Sequence, residues 1–114
     1  MTILKIDHPP NLEELSLLIQ EYPQYIKLSA DINQQILYGG GRLHYDCEQK
    51  LISEQNSEEK NIWSGGVNLI TKKIEYEAVA NIKPSLDNPS TEILDPEIRK
   101  KFKNLVKKYF PDYE

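Results

Sequence analysis

The sequence predicts an α+β fold. It has two layers: a mainly antiparallel sheet of about five or six strands, and an N-terminal and a C-terminal helix packed on one face of it. Three observations predict this. Apolar residues recur at helical spacing near both ends of the chain, and short alternating segments fill the middle. The links between those segments are too short for parallel crossovers, so successive strands should pair as hairpins. Two helices with apolar stripes must then be covered by the sheet.

Residues 3–7, "ILKID", read as a first strand. Asn11 is placed to cap a helix, with Glu14 three residues later completing a capping box. Leu12, Leu15, Leu18 and Ile19 carry the helical period to about Glu21, and Pro23 ends it. "QYIKLSADI" alternates as a strand with one buried face, and a turn over Asp31–Gln34 leads to a second strand, Gln35–Tyr38. Gly39–Gly41 read as a turn or bulge needing positive φ. They do not read as a phosphate loop, which requires a helix directly after the glycines. The spacing of Leu43 and Tyr45 predicts a strand there instead.

Ser57, followed by Glu58 and Glu59, suggests a short helix, and Ser64–Gly66 a break. Val67–Ile70 and Ile74–Ile82 read as a further hairpin. After a Pro- and Ser-rich loop, Asp95 caps a last helix with Pro96 at its first position. Ile98, Phe102, Leu105, Val106, Tyr109 and Phe110 share one face of it, and Pro111 stops it.

The 114 residues suit a single domain, 1–114. With 39% hydrophobic and 28% charged residues, the composition is that of a soluble globular chain. Cys47 is the one cysteine, which excludes an internal disulfide. With no signal peptide or membrane-length apolar run read in the sequence, the expected compartment is the cytoplasm. The net charge of −4 hides an asymmetry: Asp95–Glu114 carries +2 and the rest −6. Such a balance implies no broad positive surface, so nucleic-acid affinity is not expected.

If "RLHYDCE" is a strand, His44, Asp46 and Glu48 project from one face at every second position. A histidine with two carboxylates suits acid/base work or a divalent cation, so these three are the catalytic candidates. The plainer reading is the polar face of an amphipathic strand. His8 offers no second metal ligand, and neither a metal site nor a cofactor is assigned. Cys47, between two acids, is disfavoured as a thiolate and reads as structural. Trp63 can be a core residue, a pocket floor or a partner anchor. Asn68 and Asn81 sit in apolar segments and must find hydrogen-bond partners, as cross-strand links or pocket groups.

Three stretches in order, "GGGRLHYDCE", "NIWSGGVNLI" and "NIKPSLDNPSTEILDPEIRKK", resemble a family of short prokaryotic proteins catalogued as a domain of unknown function. The resemblance rests on Gly40, Gly41, Leu43, His44, Asp46, Cys47 and Glu48. It continues through Trp63, Asn68, Asn81, Ile82, Lys83 and Pro84 to Asp95, Pro96, Ile98 and Arg99. It implies one intact domain and transfers no activity. It draws attention to His44, Asp46 and Glu48; Arg99 stands with Trp63, Asn68 and Asn81 as a candidate binding residue. The functional expectation is a small binding protein that engages a protein partner or itself, with a homodimer through an open sheet edge as one form. An enzyme or metal-binding protein around His44, Asp46 and Glu48 is the alternative. A regulatory partner in a mobile-element or toxin–antitoxin system is a third.

Overall fold

The computed structural model describes residues 2–114. Over these described residues the chain is α+β, with one open antiparallel sheet of five strands and three α-helices. In chain order these are β1 (Ile3–Ile6), α1 (Leu12–Leu18), β2 (Tyr25–Asp31), β3 (Ile36–Gly40) and α2 (His44–Gln55). β4 (Ile62–Asn68), β5 (Lys73–Glu75) and α3 (Pro96–Tyr109) follow. Across the sheet the order is β1-β3-β2-β4-β5, so β1 and β5 are the edges.

Both outer helices start as their sequences dictate. Asn11 and Glu14 exchange the two bonds of a capping box, 2.8 and 3.0 Å long. The Asp95 carboxylate accepts from the Glu97 amide at 2.8 Å, with Pro96 just inside the helix.

The period of two along the strands sorts the core into two clusters. Ile26, Leu28 and Ala30 of β2, Leu37 of β3, and Trp63 and Val67 of β4 pack with Leu18 of α1 and with Phe102, Leu105 and Val106 of α3. The intervening residues of the strands face the other way. There Tyr38 and Ile62 pack with Cys47 and Leu51 of α2.

The helix α2 replaces the strand expected over "RLHYD". Gly40 and Gly41, at φ 95° and 78°, turn the chain off β3. Leu43 is extended, and Asp46 reaches back to accept from the Leu43 amide at 3.3 Å. Cys47 and Leu51, one helical turn apart, are fully buried and hold the helix on the sheet. The alternating Leu43 and Tyr45 that suggested a strand are 58% and 60% exposed, so their apolar character does not come from the core. With α2 against the second face, the two-layer arrangement gives way to helices on both faces.

Three smaller expectations also change. Ser64–Gly66 are not a break but the middle of β4. The helix expected from Ser57 is a single 3₁₀ turn, Glu59–Asn61. The strand expected over Ile74–Ile82 stops at Glu75, and Val79–Asn81 form another 3₁₀ turn. The last change matters most for the site. Beyond Glu75, no strand among the described residues covers the flank of β4, and Asn81 takes its place. Its Oδ1 accepts from the Ser64 amide, and its Nδ2 donates to the Ser64 carbonyl, both at 2.8 Å. One side chain thus makes the pair of bonds that a neighbouring strand residue would make.

Candidate functional site

On a helix, His44 and Glu48 are one turn apart and Ile52 one turn further, so they form a stripe along α2. Facing them are Val79, Ala80 and Ile82. Between the two walls runs a groove of about 600 Å³, with Lys27 of β2 among its lining residues and Leu43, Tyr45, Gln49 and Glu59 around it. Five large apolar side chains left exposed on this protein, Leu43, Tyr45, Ile52, Val79 and Ile82, line this single groove. Scattered apolar residues on a surface need no explanation, but a contiguous set rimmed by polar groups marks a binding surface.

The groove holds an electrostatic anomaly. Glu48 is only 8% exposed, yet its carboxylate has no hydrogen-bond or ion-pair partner among the described residues. Burial, above all, raises its pKa; Lys83 opposes the shift and Glu59 adds to it. The carboxylate oxygens are not sealed off but meet solvent in the groove, where a donor from a ligand can reach them.

His44 has a different role. Its Nε2–H donates to the Gly65 carbonyl at 2.7 Å, which fixes the tautomer and leaves Nδ1 as an acceptor. Burial pushes its pKa down to about 4, with Lys27 contributing in the same direction. The ring is therefore neutral near pH 7, a hydrogen-bonding wall rather than a strong base. In the unfolded chain the ring takes up a proton near its ordinary pKa; in the fold it does so only near the lowered one. Acidification from about pH 6.5 toward 4 thus favours the unfolded state. Melting temperature should fall across that interval, and less steeply in His44→Gln. Equal slopes in the two proteins would show that His44 contributes nothing to the pH dependence.

Asp46 leaves the group, because its carboxylate turns back to the helix start. The triplet expected on one strand face is thus a pair, His44 and Glu48, plus a helix-capping residue. Among the described residues no three His, Cys, Asp or Glu side chains are grouped to hold a metal ion. Cys47 is fully buried, its thiol 3.4 Å from the Gly40 carbonyl, and burial pushes its pKa up to about 12.

The other sequence candidates lie elsewhere. Trp63 is in the core with Lys83 Nζ 5.5 Å from its ring centroid, and its indole N–H has no partner among the described residues. Asn68 closes the β4–β5 hairpin by accepting from the Ile70 and Thr71 amides at 2.9 and 3.0 Å. Arg99 lies 3.9 Å over the Tyr76 ring and donates to the Ile93 carbonyl. Asn81 is the only one of the four connected to the groove, since it pins the turn that carries Val79 and Ile82.

Sequence reasoning missed Lys27, Tyr45, Ile52, Val79 and Ile82. The helical spacing of His44, Glu48 and Ile52, beside that of Cys47 and Leu51, is the signal that could have found part of the groove.

Comparison with known proteins yields one relation. A family described as "Protein of unknown function (DUF5674)" has a model that matches residues 4–109. No curated protein and no solved structure matches the chain.

Proposed function

Since the chain belongs to this family of proteins of unknown function, we propose a role from its own geometry: it is a binding protein, and the groove between α2 and residues 78–82 is its recognition site. The ligand presents a cationic or N–H donor group set in apolar surface. One observation carries the reading: Glu48, largely buried and with no side-chain partner among the described residues, lines the groove together with five exposed apolar side chains. A donor from the ligand supplies the partner that the fold withholds, and the apolar walls desolvate the resulting contact. The acid/base alternative has less support, because His44 is a weak base and Asp46 is not placed to orient it.

Phenethylamine, an ammonium on a small apolar body, is a direct probe. Titrated into the protein and followed by NMR, it should shift the signals of Glu48, Ile52 and Val79. In Glu48→Gln it should bind at least about tenfold more weakly, the ratio expected when about 1.4 kcal/mol of charge-assisted hydrogen bonding is lost. Shifts spread over other acidic positions, with no loss in the variant, would remove the groove as the site.

A further inference from the structure

The groove does not end at His44. A second depression of about 460 Å³ shares Lys27, His44 and Val79 with it and continues over Tyr25, Glu75, Glu77 and Thr91. The two form one channel from α2 across the sheet toward the β5 edge. The charges along it are one-sided. Glu48 and Glu59 line one end and Glu75 and Glu77 the other; among the described lining residues Lys27 is the one cation, and Lys83 is close enough to Glu48 to oppose its pKa shift. Lys27 is itself occupied, with its Nζ 5.1 Å from the Tyr22 ring centroid and 5.7 Å from that of Tyr25. His44, neutral between the two ends, adds no charge.

Resting on the reading of the groove given above, we propose that the channel takes an extended segment of a basic protein partner, with one cationic side chain at Glu48 and a second at Glu75 and Glu77. Apolar residues of the segment lie against Tyr45, Ile52, Val79 and Ile82. Three features favour a protein segment over a small amine. The channel has two acidic ends rather than one. Val79, shared by the two depressions, sets an apolar side chain between the acidic ends, as a segment with an apolar residue between two basic ones requires. The acidic lining also complements a basic chain while repelling nucleic acid and anionic membrane surfaces.

The test uses acetylated, amidated decapeptides of alternating leucine and serine that carry two lysines at two, four or six positions apart, with one-lysine controls. Affinities are measured by calorimetry or NMR on the full chain. One of the two-lysine peptides should bind at least tenfold more tightly than its one-lysine control. That gain should vanish in the Glu75→Gln/Glu77→Gln double variant, which should still bind phenethylamine. Glu13→Gln, which removes an acid from α1, should leave the gain intact and so controls for overall charge. If phenethylamine binds at Glu48 but a second lysine adds nothing, the segment proposal is overturned and the groove reading stands. If neither probe binds, both fall. A gain equally sensitive to Glu13→Gln is long-range attraction to an acidic protein and also overturns the proposal.

Discussion

Replacing Asn81 with alanine should lower the stability of the protein by about 4 kcal/mol, since each buried group stripped of its partner costs about 1–3 kcal/mol. Asn81 is fully buried. Its amide bonds both backbone groups of Ser64 and donates further to the Thr91 carbonyl at 3.0 Å. The substitution leaves those groups dry and unpaired, because no strand lies alongside to replace them. Asn88 extends the same clamp, donating to the Asn81 carbonyl at 2.8 Å and to the Glu92 carbonyl at 2.9 Å. Thermal melting should show a loss of about 15 °C for a domain of this size. Amides of Ser64 and of residues 78–82 should also exchange faster than the rest of the sheet, and phenethylamine should lose affinity even where the protein remains folded, because the wall bearing Val79 and Ile82 is released. A loss under 1 kcal/mol would show that water replaces the amide and that the clamp is incidental.

Gly65→Ala should cost about 3 kcal/mol, at the upper end of what overpacking usually costs. A methyl group there would run into the Glu75 carbonyl oxygen and stand 3.1 Å from the edge of Phe102. The first obstacle is backbone, so β5 must move or detach. At Gly39 the nearest atoms, at 2.8 Å, are the ends of the Ile6 and Leu28 side chains, which can turn aside. Gly39→Ala should therefore cost clearly less. Chemical denaturation of the two variants gives the comparison, and amide exchange of Lys73–Glu75 should accelerate in the Gly65 variant alone. Since β5 carries Glu75 at the far end of the channel, that variant should also lose the benefit of a second lysine in the peptide. Equal costs at the two glycines would mean that β5 yields as readily as a side chain.

The elements set by local chemistry were legible in the sequence. Asn11 with Glu14, and Asp95 with Pro96, mark helix starts that depend only on neighbours along the chain. The hairpin of β2 and β3 follows from alternation and a turn. What tertiary structure decides was not legible. Leu43 and Tyr45 alternate like a strand because they line a groove rather than a core. "SGG" reads as a break, yet Ser64, Gly65 and Gly66 occupy mid-strand. There Ser64 meets Ser29 across the sheet, with hydroxyls 2.7 Å apart, and Gly65 leaves room for β5. The candidate site was half visible. His44 and Glu48 were singled out for their chemistry, but the wrong period joined Asp46 to them and left out Ile52. Lys27, Val79 and Ile82 come from other elements, and no pattern along the chain links them.

The most direct test of the groove is the melting temperature of the ligand-free Glu48→Gln variant beside the original protein at pH 7. Because burial raises the pKa of Glu48, the folded state holds that proton more tightly than the unfolded chain does. Its contribution is then fully present at low pH and is lost as pH rises through the raised value. Above the ordinary carboxylate range the partly desolvated carboxyl group is therefore a cost that the neutral amide reduces. The variant should melt higher, by roughly 3 °C for a gain under 1 kcal/mol, with the advantage shrinking as pH falls toward 4. A variant that melts lower at pH 7 would show that the Glu48 carboxylate already has a stabilising partner in the fold, and the groove would lose the group that marks it as a binding site.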